Sequence, residues 1–261
     1  MKSLKNWLLV LSVLSCFGCS SPVHEDGRGC AFVSDSIQYR VEFMSEGCVR
    51  ILSFPEGDTL VTKRLVVDPE KPAFKDYKWE DTGKKLVFRT RELSVAFDKE
   101  DAAFTFQEVS TGKLLLKEKE AKKARHFKRS VAGGEQCLEV TQRFVPTDDE
   151  AIYGLGQYQN GIMNYRGKSV LLLQANMDIV NPFLISTNGY GILWDNYSST
   201  KFEDTKEGYS FTSEVGDASD YYFVYGKNMD EVVAGYRELT GDVPMFGKWV
   251  YGFWQSKERY K

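Results

Sequence analysis

Two histidines, His24 and His126, five cysteines and 37 acidic side chains are the chemical resources of this 261-residue chain. A zinc site draws three or four closely spaced ligands from His, Cys, Asp and Glu, and two histidines so far apart supply no such set. Cys16 and Cys19 lie near the N-terminus. Cys30, Cys48 and Cys137 are scattered through the rest, which is neither a zinc spacing nor a disulfide framework. No metal and no cofactor is expected. With 34 basic against 37 acidic residues the formal net charge is −3, too little positive field to hold phosphates, so nucleic acid is not an expected partner. Aromatic side chains are plentiful, with 17 Phe, 14 Tyr and 5 Trp. Tyr158, Tyr165, Tyr190, Tyr197, Tyr209, Tyr221, Tyr222 and Tyr225 could stack on the apolar faces of sugar rings. At alternating positions the same residues also serve as strand packing.

The elements that would position these groups are mostly strands. Ile37, Tyr39, Val41 and Phe43 alternate with polar neighbours, and Val49 and Ile51 resume the pattern after Glu46-Gly47. That period of two marks a half-buried strand, because successive side chains point to opposite faces. Leu86-Phe88, Leu93-Val95-Phe97 and Phe104-Phe106 repeat it, with Asp98 to Asp101 as a polar turn. Asn188-Gly189 between Phe183-Ile185 and Ile192-Trp194 is a hairpin signal, since both turn residues tolerate positive φ. Short strands at regular spacing predict an antiparallel sandwich. The basic stretch 117–130 reads as a solvated loop or as protection of a sheet edge. Near the C-terminus the period changes. Met229, Val232, Val233, Tyr236 and Leu239 predict a helix, capped by Asn228 and stopped by Gly241. Then Trp249 to Trp254 forms a continuous apolar run, which predicts a strand buried on both faces.

The N-terminus reads as an address. Lys2 and Lys5 precede the apolar stretch Trp7 to Leu14, in the layout of a secretory signal. Val13-Leu14-Ser15-Cys16 resembles a bacterial lipobox, which implies lipidation at Cys16, with Cys19 as a second candidate. The expected organisation is a signal and anchor over residues 1–19, a tether over 20–30, a β-sandwich over 31–243 and the start of a further domain over 244–261. The expected location is the cell envelope, with the membrane reached only through the lipid.

Asp149-Glu150-Ala151-Ile152-Tyr153-Gly154-Leu155-Gly156-Gln157 resembles the "YGLG" signature of glycoside hydrolase family 31. Asn164-Tyr165-Arg166-Gly167-Lys168, Asn181-Pro182-Phe183, Gly189 to Trp194 and Gly252-Phe253-Trp254-Gln255-Ser256 follow in the family's order. The resemblance implies a galactose-mutarotase-like N-terminal sandwich, a linker helix, and then a (β/α)8 barrel beginning at about Trp249. It also implies a retaining mechanism with two aspartates, held ~5–5.5 Å apart across the scissile bond. In the family both lie deep in the barrel, past Lys261, so no catalytic residue is assigned to this chain. The implied role is that of the N-terminal portion of an exo-acting α-xylosidase or α-glucosidase that cleaves plant or storage oligosaccharides and needs its barrel in cis. Gln157 and the wording from Gly252 to Arg259 resemble the α-xylosidases most.

Two places are implied to touch substrate. One is the end of the first barrel strand, with Trp254, Gln255 and Lys257; the other is the loop Gln174 to Asp178, with Asn176 and Asp178 reaching over the barrel mouth. The alternative is a standalone carbohydrate-binding lipoprotein that uses the sandwich alone. A mutarotase would need histidines beside a carboxylate at the anomeric carbon, and neither His24 in the tether nor His126 in the basic loop meets that need.

Overall fold

The structure, a computed structural model, describes residues 23–58, 60, 65–67, 71–120 and 127–255. The first strands are β1 (His24–Glu25), β2 (Cys30–Ser34), β3 (Ile37–Phe43), β4 (Cys48–Pro55), β5 (Lys78–Asp81) and β6 (Lys85–Arg89). Next come β7 (Leu93–Asp98), β8 (Ala103–Glu108), β9 (Leu114–Glu118), β10 (Phe127–Ala132), β11 (Glu135–Val145) and β12 (Ile152–Gln157). The last are β13 (Ser169–Leu172), β14 (Ile179–Ser186), β15 (Tyr190–Trp194), β16 (Thr200–Thr205), β17 (Gly208–Gly216) and β18 (Ser219–Tyr225), followed by the helix α1 (Met229–Thr240).

The strands form two sheets. One runs β1-β2-β3-β4-β18-β15-β14-β12; the other runs β13-β16-β17-β11-β9-β8-β7-β6-β5, with β10 paired to β11. Between them lies a core rich in aromatic rings. Phe106 stacks on Phe223 at 4.2 Å, Phe32 meets Phe97 at 4.8 Å, and Trp194 stacks on Phe211 at 5.5 Å. These are the inward rows of the alternating strands, and each fully buried ring contributes roughly 2–3 kcal/mol of apolar transfer. The mostly β, antiparallel sandwich expected from the sequence is the architecture observed.

The outer face of the first sheet is divided between charge and helix. Arg50 bridges Glu42 at 3.0 Å and Asp220 at 2.7 Å, and its guanidinium lies 5.7 Å from the Tyr222 ring centroid. Helix α1 covers Phe183, Leu193, Tyr222 and Val224 with Val232 and Leu239. Its cap is reciprocal. Asn228 Oδ1 accepts from Glu231 N at 3.0 Å, and the Glu231 carboxylate accepts from Lys227 N at 2.9 Å. Gly241, with φ of 87°, ends it by donating to Arg237 O. Close seating requires Gly191, where a Cβ would stand 2.8 Å from both the Phe183 ring and Val232.

Two sequence expectations meet the structure differently, and a third, the basic stretch, resolves to one of its two alternatives. The tether of residues 20–30 contains strand: His24 and Glu25 pair with Ala31 and Cys30. Asp26 closes that hairpin by accepting from Arg28 N and Gly29 N and by pairing with Arg40. Phe127–Ala132 of the basic stretch is an edge strand, so its charge sits where edge protection needs it. The strand expected over Trp249 to Trp254 is instead a 3-10 turn, Lys248–Tyr251, followed by irregular chain. A strand needs a neighbour to take its ladder hydrogen bonds. This segment has none among the described residues, and satisfies itself locally through Val250 N to Gly247 O at 3.0 Å. Cys16, Cys19, His126 and Lys257 lie outside the described residues.

Candidate functional site

The loop after β13 is a short, locked turn. Ala175 and Asp178 form a bridge, and Met177 takes φ of 70° to close it. Gln174 clamps the turn from within, its Nε2 donating to Asp178 O at 2.8 Å and its Oε1 accepting from Val180 N at 3.2 Å. Asn176 is thereby held exposed at the tip and Asp178 half-buried at its flank. Neither commits its side chain to a hydrogen bond among the described residues. Leu173, Met177 and Ile179 beside them are also exposed, which makes a surface of mixed apolar and hydrogen-bonding character.

The residues of the "YGLG" signature set the base of that loop. Gly154, Leu155 and Gly156 all have positive φ, at 100°, 65° and 120°, and the register of β12 against β14 shifts there. A Cβ on Gly156 would stand 2.1 Å from Ile179 O, at the root of the loop. Only glycine allows that approach. Leu155 accepts its strained conformation because its side chain is fully buried and its carbonyl accepts from Tyr158 Oη at 3.0 Å.

The flanking motif residues form a clamp. Glu150 accepts from Ser186 Oγ at 2.8 Å and Tyr190 Oη at 3.0 Å, and burial pushes its carboxyl above the usual range. Arg166 donates to Asp204 at 2.8 Å and to the carbonyls of Thr147 and Glu150 at 3.0 and 3.1 Å. Asn164 Oδ1 accepts from Ile152 N and Arg166 N, both at 3.1 Å. These bonds tie the entry of β12 to the opposite sheet. Sequence reading had no signal for this structural role, because the partners are distant in the chain.

A second buried carboxyl, Glu118, accepts from Tyr221 Oη at 2.6 Å, Phe104 N at 2.8 Å and Gln142 Nε2 at 2.9 Å, and burial pushes it up to about 7. A carboxyl titrating near neutrality is a functional candidate only where substrate can reach it. Glu118 is 5% exposed, between the sheets, and serves the core. Among the described residues no group of three or more His, Cys, Asp or Glu side chains has a metal-binding arrangement. Cys30, Cys48 and Cys137 are free thiols.

At the other expected contact, Trp254 donates its Nε1 to Val250 O at 2.7 Å and its ring stands 5.8 Å from that of Trp249. Gln255 is exposed. No hydrogen bond or ion pair among the described residues brings Trp254 or Gln255 to Asn176 or Asp178.

The family model for the glycosyl hydrolase 31 N-terminal galactose mutarotase-like domain matches residues 38–203. The chain belongs to glycoside hydrolase family 31. An α-xylosidase of Saccharolobus solfataricus is 36% identical over 239 residues, covering 87% of this chain and 31% of its own length. Alpha-glucosidase 2 of Bacillus thermoamyloliquefaciens is 28% identical over 252 residues, covering 88% of this chain and 30% of its own. In fold, the chain is similar to a family 31 α-xylosidase crystal structure from Xanthomonas citri, with a TM-score of 0.79 at 22% identity over 91% of this chain and 42% of that one. The chain thus spans about a third of these two curated relatives. The family 31 match begins at Gln38 and ends inside β16, so it includes both the signature strand β12 and the 173–178 loop.

Proposed function

We propose that this chain is the N-terminal sandwich of a lipid-anchored, retaining, exo-acting α-glycosidase of the α-xylosidase type, working in the cell envelope on oligosaccharides. The observation that carries the reading is the 36% identity to an α-xylosidase across 87% of the chain. The geometry of loop 173–178 supports it. A turn pre-locked by Gln174 presents Asn176 and Asp178 at little entropic cost, as a positioning element for a sugar hydroxyl should. In this reading residues 244–261 lead into the barrel. The 3-10 turn at Lys248–Tyr251 would open into a strand once a parallel neighbour takes its hydrogen bonds, which would bring Trp254, Gln255 and Lys257 to the strand's C-terminal end, where barrel active sites gather. The sandwich contributes positioning and the barrel supplies the two carboxyls.

Purified as 261 residues, the chain should not turn over aryl α-xylosides or aryl α-glucosides. Carried on through its downstream barrel, it should release xylose with retained anomeric configuration, read by proton NMR. In that longer protein Asn176→Ala should raise KM with kcat little changed. Turnover by the pure 261-residue chain, or an inverted product from the longer one, would overturn the assignment. Anchoring is read separately: Cys16→Ala should move the protein from the membrane fraction to the soluble one.

A further inference from the structure

Of the eight tyrosines whose spacing suits either sugar stacking or strand packing, the structure assigns most to packing. Tyr165, Tyr190, Tyr209, Tyr221 and Tyr222 are buried, and Tyr158 and Tyr225 are half-buried beside the core. Tyr197 differs: it is 46% exposed. It lines a cleft of about 810 Å³ between the β10–β11 hairpin, the β15–β16 connection and the β17–β18 turn. That volume lies within the ~300–1,000 Å³ range of small-molecule sites.

The Tyr197 ring is held in place before any ligand arrives. Its hydroxyl accepts from Leu65 N at 2.7 Å and bonds Asp195. The backbone that carries it is fixed by Asn196, whose Oδ1 accepts from Ser198 N at 2.8 Å and whose Nδ2 donates to Val215 O at 3.0 Å. A rigid aromatic plane loses little entropy on binding. The Arg50–Asp220 pair, Leu52, Arg129 and Asp217 line the same cleft.

The charge of the lining selects the ligand class. Five carboxylates, those of Asp58, Glu135, Asp195, Asp217 and Asp220, face two guanidiniums, those of Arg50 and Arg129. An anionic ligand would be repelled, and a wholly apolar one would strip water from these charges without replacing it. A neutral polyhydroxylated ring meets both demands, with an apolar face for the aromatic plane and hydroxyls that donate to carboxylates and accept from arginine. We propose that this cleft is a non-catalytic binding site for a neutral oligosaccharide, with Tyr197 as its stacking platform. The site uses none of the residues of loop 173–178 and stands or falls independently of the proposed glycosidase.

The test is calorimetry and amide NMR on the 261-residue chain, with xylotriose and isomaltotriose as neutral probes and trigalacturonate as the anionic control. Saturable binding of at least one neutral trisaccharide is expected, with none of trigalacturonate and with shifts centred on residues 196–198 and 215–218. Tyr197→Ala should weaken binding about tenfold, whereas Tyr197→Phe, which keeps the ring, should stay within about threefold. Should Tyr197→Ala fail to fold, the Tyr197→Phe affinity and the wild-type shift map decide. Absence of saturation by both neutral probes, binding of trigalacturonate, shifts centred elsewhere, or an unchanged affinity in folded Tyr197→Ala would each overturn the proposal.

Discussion

Glu118 should give this protein a stability that falls as pH rises through the mildly acidic range, the reverse of what ion-paired carboxylates do. Its carboxyl is pushed from an ordinary 4.5 to about 7 by burial, which outweighs the bonds from Tyr221, Phe104 N and Gln142. Because the folded state holds the proton more tightly than the unfolded chain, the contribution is complete below 4.5, declines between 4.5 and about 7, and is gone above that. From 4.5 to about 7, at about 1.4 kcal/mol for each pH unit, the whole change is about 3–4 kcal/mol. The carboxyls of Asp26 and Glu108 are held down to about 2 by their hydrogen bonds, to Arg40 and to Thr111, Ser110 and Tyr225. Their stabilisation is lost only as pH falls below about 4, a separate window. Glu150 shifts in the same direction as Glu118, so the informative comparison is between wild type and Glu118→Gln, urea midpoints being measured from pH 5 to 8. The variant should carry a constant offset, from an amide facing three donors, and a pH slope shallower by about 3–4 kcal/mol across the window. Identical slopes would refute the burial account of Glu118.

Other outcomes follow from the same geometry. Gly156→Ala places a Cβ 2.1 Å from Ile179 O at φ of 120°, and should cost ~3 kcal/mol, lowering Tm by ~6–12 °C in a thermal melt. Asn228→Ala removes the cap of α1 and should cost ~1 kcal/mol by chemical denaturation. Trp249, Tyr251, Phe253 and Trp254 are exposed, so ending the chain before Met245 should reduce self-association in light scattering; an unchanged profile would contradict that.

Much of the fold was legible because one physical rule writes it. A half-buried strand must alternate, and Ile37 to Phe43 does so with its apolar row facing the core. The helix was equally plain, since Asn228, Glu231 and Gly241 are the residues its unpaired ends require. The segment from Trp249 was not, because a continuous apolar run has no period and its conformation depends on a partner for its backbone. Two-residue β1 was invisible for a related reason: its order comes from Asp26 and Arg40, not from its own composition. At the site, the sequence marked Asn176 and Asp178 as polar loop residues, while the Gln174 clamp that makes the loop rigid emerged only from the fold. The signature glycines showed the family but not their task, which is to let β12 pass close to the carbonyl of Ile179.

In the proposed reading this sandwich serves a barrel that follows it. Reading the genomic DNA past the Lys261 codon tests it most directly. An open frame encoding strand–helix repeats, with an aspartate at the end of the fourth barrel strand, is the predicted result. A genuine stop codon directly after Lys261 would contradict it.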